Sequence, residues 1–312
     1  MIRWGFGALL VVASCTGPVE PSPAPETSVV QIVALSAPAA WIAERLGGEG
    51  VEVRTLPPVG EDPHRWRPSP DAIDDLRQAD LIVLAGAGLE AWVATASLPL
   101  SRTVDLSRGI DLIRLEGPTH RHGDGPAHSH AGPAPYTWLE PETLGAHAER
   151  FHAALREIRP SRAPELDHEL SRLQGDLSPL ATRLKALGAG EPALVATHPT
   201  FVYLFRGAGL NVPHAHLPAQ GQRSADEITR TADMLAAAAS GPSHPILVWD
   251  GAFGDLASLP EPLQRVAVEG QEPRQVVHIA LDPLSVRTER YDLLEGLNQN
   301  LSALERAVAE AP

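Results

Sequence analysis

Three short segments, far apart in the chain, carry the residue types that hold a transition-metal cation: Asp62-Pro63-His64-Arg65-Trp66, Thr197-His198-Pro199-Thr200-Phe201 and Leu281-Asp282-Pro283-Leu284. A borderline-soft cation takes imidazole nitrogen together with a carboxylate. Proline beside each donor fixes part of the backbone that must present it. Donors this distant can share an ion only if the fold gathers them, which predicts a cleft between two lobes. A fourth segment, from His120 to His130, is punctuated by glycine and carries His120, His122, His128 and His130. Its composition reads as metal binding, and zinc is the cation that fits such donors first.

The elements that must position these residues follow a repeating order. Val29 to Leu35 is a β-branched apolar run, and Pro38 suits the first turn of a helix from Ala39 to Leu46 that ends at Gly47-Gly48. A strand from Val51 to Leu56 runs into the His64 loop, a helix spans Pro70 to Gln78, and Leu81 to Ala85 is a buried strand. Strand, loop, helix and strand in this order form a parallel sheet whose sites lie beyond the strand ends. From Pro141 to Leu187 the spacing is helical, with breaks near Pro160 and Pro164 and a long helix from Ala163 to Leu187. A second α/β series follows: strand Ala193–Thr197, short helix Phe201–Gly207, helix Ser224–Ala239, strands Pro245–Trp249 and Gln275–Ala280, and helix Arg287–Ala309. Ser224 and Glu227 have the spacing of a capping box. The predicted class is therefore α/β, with two lobes that each hold a parallel-type sheet flanked by helices. A long rigid linking helix over 161–188 joins an N-terminal lobe over 29–160, with a His-rich loop at 119–132, to a C-terminal lobe over 189–312.

The first 14 residues read as an export signal, because the apolar stretch from Phe6 to Val12 is too short to cross a bilayer. It closes on Val12-Ala13-Ser14-Cys15, small residues before the only cysteine of the chain, in the manner of a lipobox. Cys15 is the expected lipidation site, and with one cysteine no disulfide forms within the chain. The Pro-rich stretch over 15–28 would act as a semi-rigid tether. Roughly 280 residues remain, enough for two lobes with hydrophobic cores of their own. A formal net charge of -14 argues against nucleic acid as a partner and against broad adhesion to anionic lipid.

Each candidate also has a plainer reading. His64 is a loop histidine of the kind usually solvated; His198 is a satisfied side chain at a strand terminus; Asp282 is a turn former before proline. His214 and His216 lie two apart, so on a strand both rings share one face, as a surface pair or an auxiliary metal contact. Asp250 ends a strand and reads either as a helix-start cap or as a residue supporting a metal ligand. The His-rich loop lacks the rigid frame of a closed tetrahedral centre and suits weak capture, which would fade below about pH 6.5 as the imidazoles charge.

Taken together, Asp62-Pro63-His64-Arg65-Trp66-Arg67-Pro68-Ser69-Pro70, His198 before an aromatic segment, and Leu281-Asp282-Pro283-Leu284 before Tyr291 resemble the zinc and manganese substrate-binding lipoproteins of bacterial metal ABC importers. The likeness runs from about Val29 to Val308. It implies that His64, His198 and Asp282 are metal ligands. The His-rich insertion and histidine at 198 resemble the zinc branch, so Zn2+ is expected over Mn2+. The family's second ligand falls in Ala134-Pro135-Tyr136-Thr137-Trp138-Leu139-Glu140-Pro141, where Tyr136 stands in place of histidine. Tyr136 itself, a loop histidine such as His128 or His130, or a water would then complete the site; drift away from zinc is the other reading. The resemblance implies a non-enzymatic carrier held to the membrane by its N-terminal lipid, with an importer permease and its ATPase as partners. A stiff linking helix would allow its lobes to close only a little. The rivals are a zinc hydrolase with Glu140 or Asp250 as general base, and a metal buffer or adhesin that uses the His-rich loop alone.

Overall fold

The computed structural model describes residues 29–116, 131–217, 223–241, 243–251, 259–268, 270 and 272–311. The expected signal, tether, Cys15 and histidines 120, 122, 128 and 130 all lie outside the described residues. The N-terminal lobe is built on strands β1 (Val30–Ala34), β2 (Val51–Thr55), β3 (Leu81–Leu84) and β4 (Thr103–Asp105), with helices α1 (Ala37–Gly47) and α2 (Pro70–Leu76). The strands are all parallel, in the order β2-β1-β3-β4. Alternation along β1 explains why both faces are covered. Ile32 and Ala34 enter the large core with α1, whereas Val33 and Leu35 enter a smaller one with Ile82, Leu84 and Trp92.

A short antiparallel pair, β5 (Arg114–Leu115) with β6 (Gly132–Pro133), closes the base of the His-rich segment. Helix α3 (Pro141–Ile158) and helix α4 (Ala163–Gly188) follow. Pro164 does not interrupt α4. It occupies the first turn, where its missing N–H costs nothing. At 26 residues α4 is about 39 Å long. Its stripe Leu166, Leu173, Leu177, Leu180 and Leu184 is buried and packs on α3, α1 and the C-terminal lobe.

The C-terminal lobe comprises β7 (Leu194–Ala196), α5 (Val202–Gly207), α6 (Ala225–Ala238), β8 (Ile246–Asp250), α7 (Glu261–Gln264), β9 (Arg265–Val266), β10 (Arg274–Gln275), β11 (Val277–Leu281) and α8 (Leu293–Glu310). Strands β7, β8 and β11 form a parallel sheet with β8 in the centre, and β9 pairs antiparallel with β10. The capping box at Ser224 is formed, with both reciprocal bonds to Glu227 present. Helix α8 begins six residues later than the apolar spacing predicts. Asp292 caps it by accepting from Glu295 N, leaving Arg287 to Tyr291 outside the helix.

One continuous core runs through both lobes, from Ile32 and Ala40 through Trp138 and Leu177 to Val248 and Leu301. Polar ties reinforce it. Arg287 donates to Thr55 Oγ1 at 3.1 Å and to Glu44 Oε1 at 2.8 Å, and Gly60 N donates to Arg287 O at 3.0 Å. Arg206 of α5 pairs with the buried Glu140 at the start of α3, and Tyr203 Oη accepts from Ile113 N at 3.0 Å. A shared core with crossing bonds resists wide hinge motion.

The loop after β3 shows how a buried carboxylate sets local geometry. Glu90 accepts from Ala85 N at 2.9 Å and Gly86 N at 3.1 Å. Only glycine fits at 86: its φ is 80°, and a Cβ there would lie 1.9 Å from Asp105 Oδ1. Burial pushes the Glu90 carboxyl up to about 7 from an ordinary 4.5; the backbone N–H groups of Ala85, Gly86 and Glu90 oppose the rise and the Asp105 charge adds to it. Between those values the folded chain keeps a proton that the unfolded chain has lost, so this group costs stability as pH rises from about 4.5 to about 7. The buried His147 acts with the opposite sign. Burial pulls its imidazole down to about 3, so its contribution is lost as pH falls below its ordinary 6.5. Glu90→Gln should therefore become more stable relative to the parent chain as pH rises through this window. Urea midpoints of the two proteins at about pH 5 and pH 7.5 measure that difference directly.

Candidate metal centre

The loop between β2 and α2 presents His64. Asp62 organises it: Oδ1 accepts from His64 N at 3.0 Å, while its carbonyl accepts from Arg65 N at 3.1 Å and Trp66 N at 2.9 Å. Trp66 then packs edge-on against Trp92, with ring centroids 5.8 Å apart, which links the loop to the segment fixed by Glu90. Burial lowers the His64 pKa and the Asp62 charge partly restores it, favouring the neutral imidazole that a metal needs. Its Nε2 shares a 3.1 Å hydrogen bond with Tyr136 Oη.

Tyr136 precedes a turn of 3-10 helix at Thr137–Leu139 and packs edge-on against Trp138 with centroids 5.4 Å apart. Burial, then the charges of Asp250 and Asp62, push its phenol well above the ordinary tyrosine value. Both effects act against the phenolate form. The residue next to it, Thr137, bonds His147 Nε2 at 3.2 Å, and Trp138 Nε1 donates to Pro283 O at 2.9 Å, reaching the segment of Asp282 from the other lobe.

His198, Asp250 and Asp282 occupy neighbouring strand ends. Register pairs Ala196 with Val248 and Leu281 with Asp250, so the three residues follow in a row across β7, β8 and β11. Asp250 N donates to Thr197 Oγ1 at 3.3 Å, and Thr200 Oγ1 donates to Asp250 Oδ2 at 2.5 Å. Burial raises the Asp250 pKa, the Thr200 bond opposes this, and the charges of Asp282 and Asp62 add to it. Asp282 Oδ1 accepts from Leu284 N at 2.7 Å, while Asn300 of α8 holds the Asp282 backbone through bonds of 2.9 and 2.8 Å. Leu284 sits at φ 55°, a conformation unfavourable for a branched side chain, and its carbonyl accepts from Tyr291 Oη at 2.7 Å. Tyr291 thus serves this turn from the segment before α8, not from within a helix as expected.

His198 also faces His216, with ring centroids 6.4 Å apart, and His216 lies 4.9 Å from His214. The shared face expected of His214 and His216 is present: Ala215 is buried and the two rings are half-buried on the other side. Their segment is not a full strand. A single bridge, Ala196 to His214, and bonds from Ala215 N and Leu217 N hold it beside β7.

The structure therefore brings His64 to Tyr136, and lines up His198 with Asp250 and Asp282. The charges of Asp62 and Asp282 reach Asp250. Among the described residues, no three His, Cys, Asp or Glu converge closely enough to hold an ion. The two groups lie within electrostatic reach of each other without closing on a point. Thr197, Thr200, Asn300 and Trp138 were missed by sequence reasoning. Asn300 had a readable signal, a polar residue within the apolar stripe Leu297, Leu301 and Leu304.

Comparison with known proteins agrees with this architecture. The chain is 25% identical over 233 residues to the metal ABC transporter substrate-binding lipoprotein SsaB of Streptococcus sanguinis, covering 70% of this chain and 72% of SsaB. It is 23% identical over 222 residues to the iron ABC transporter substrate-binding lipoprotein MtsA of Streptococcus pyogenes serotype M1, covering 67% of each. The crystal structure of the metal-dependent lipoprotein YcdH from Bacillus subtilis superposes with a TM-score of 0.71 at 20% identity, covering 89% of this chain and 99% of YcdH. A sequence model described as ZnuA, zinc-uptake complex component A, periplasmic, matches residues 32–241. The chain belongs to this ZnuA family of metal ABC transporter substrate-binding proteins.

Proposed function

We propose that this chain captures zinc in the cleft between its lobes, through His64, His198 and Asp282, and delivers it to the permease of an ABC importer. The observation that carries the reading is the row of His198, Asp250 and Asp282 on adjacent parallel strand ends. Asp250 lies within electrostatic reach of Asp62 in the His64 loop, and Trp138 connects the two sides. Zinc is favoured by histidine at 198 and by the His-rich segment. Tethering through a lipid on Cys15 fits the lipoprotein relatives, and no described helix is long and apolar enough to cross a membrane. The His-rich segment would act as weak first capture.

A hydrolytic reading has less support. The Glu140 carboxylate is engaged by Arg206 and Thr143, which leaves it poorly suited to serve as a general base. The test is a competitive zinc titration, against a chelator of known affinity, of the chain from Thr16 onward with Thr119 to Gly132 deleted. One tight site should survive. Loss of tight binding would transfer a ligand to the deleted segment, or show that the cleft holds another cation.

A further inference from the structure

Trp249 and His278 meet on the face of the C-terminal sheet that carries a second, smaller core. β11 runs parallel to β8 with His278 opposite Leu247, so His278 shares a face with Leu247 and Trp249. Trp249 has no solvent exposure and packs among Leu247, Leu259, Leu263, Val266 and Val276. Leu259, Leu263 and Val266 belong to the segment of α7 and β9. That segment is held over the sheet by the β9–β10 pair and by a 2.9 Å bond from Val276 N to Gln264 O.

Within this core Trp249 Nε1 donates to His278 Nδ1 at 3.0 Å, and the two rings stack with centroids 6.2 Å apart and planes 21° apart. We propose that His278 is a pH-sensitive pin: neutral, it accepts the Trp249 N–H and keeps the α7–β9–β10 segment closed on the sheet; protonated, it releases both. The switch needs no metal.

The chemistry follows from which atoms can donate. An indole nitrogen is a donor only, so the bond exists only while Nδ1 carries no proton; an imidazolium has donors at both nitrogens and no acceptor. Protonation would therefore set two N–H groups against each other and leave a fully buried indole N–H without its acceptor, which is costly inside a core. Opening of the segment relieves this by admitting water. The imidazole is half-buried and lines a cavity with His244, Gln264 and Glu310, so protons can reach it.

The surroundings set the direction of the switch. Burial lowers the His278 pKa from its ordinary 6.5, and the backbone carbonyl of Leu263 opposes this. Arg223 already places a guanidinium 5.4 Å from the centre of the Trp249 ring, so a charged His278 would be a second cation at the same indole. Glu310 of α8 acts the other way from across the cavity, where His244 bonds Gln275 O at 3.0 Å. On the segment itself, Arg274 bonds the Ser243 carbonyl at 2.9 Å, and Glu261 and Arg265 are exposed. Because the folded chain holds off a proton that the unfolded chain accepts, the stabilisation by the pin is present above pH 6.5 and is lost as the pH falls below it.

The experiment uses the full chain and its His278→Gln and His278→Phe variants, with chelator present so that no cation contributes. Glutamine keeps an oxygen that can accept the indole N–H but does not titrate, and phenylalanine keeps the stacking without an acceptor. Hydrogen exchange over residues 259–268 is measured at pH 7.5 and pH 5, corrected for the intrinsic rate, with β1 as the internal reference. Protection of the parent segment should fall about tenfold at the lower pH, the scale of one hydrogen bond, while β1 holds. His278→Gln should be equally protected at both pH values, and His278→Phe weakly protected at both. Absence of a fall in the parent, or the same fall in His278→Gln, would overturn the proposal. Nitrogen-15 spectra of the parent imidazole need no variant: a neutral ring with its proton on Nε2 supports the pin, and a proton on Nδ1 refutes it.

Discussion

His64→Ala should lower the zinc affinity of the full chain by more than about 100-fold, beyond the range seen when only a supporting partner of a ligand is lost. His64 is the imidazole that the N-terminal lobe brings to the cleft among the described residues, where the position across from it carries Tyr136. Its loop is already ordered by Asp62 and by the Trp66–Trp92 contact, so alanine removes the ring and leaves the loop frame. Stability without metal should therefore change little while affinity collapses. Chelator competition reads the affinity, and urea unfolding of the metal-free protein serves as the control. A fall of less than about tenfold would mean that the C-terminal lobe binds without help from the N-terminal one.

Trp138→Ala should destabilise the protein by about 4 kcal/mol, within the range for truncating a fully buried large aromatic. Trp138 has no solvent exposure and lies in the core shared by both lobes. Its indole N–H is also the bond that reaches Pro283 O, one residue beyond Asp282. Two consequences can be separated. Trp138→Phe keeps most of the packing but removes the N–H, so it should lose less stability and still weaken metal binding by loosening the Asp282 turn. Urea midpoints and chelator competition on the two variants distinguish packing from positioning. Equal affinity in Trp138→Phe and the parent chain would show that the bond to Pro283 plays no part at the site.

The sequence was explicit about elements whose cause is local. Pro38 at the start of α1, the capping box at Ser224 and the helical spacing of α4 each depend on residues a few positions apart, and each formed as read. Where tertiary contacts compete, the reading shifted. The segment from Arg287 to Tyr291 has helical composition, yet its side chains are used elsewhere. Arg287 bonds Thr55 and Glu44 in the other lobe, and Tyr291 bonds the Leu284 carbonyl, so α8 starts only at its Asp292 cap. The short strands β4, β5, β6 and β9 carry too few residues for a period to show and exist through their pairing partners.

By itself the sequence determined the α/β class, the long linking helix and the prolines that set His64, His198 and Asp282 at turns, because these follow from periodicity and backbone restriction. Only the tertiary structure decided that Asp250 stands in the row with His198 and Asp282, that Tyr136 bonds His64, and that Trp138 reaches Pro283. Those facts depend on strand register and on the packing of one lobe against the other. Residues as far apart as 64 and 136, or 138 and 283, meet because a common core buries the surfaces between them, and no local pattern encodes that distance.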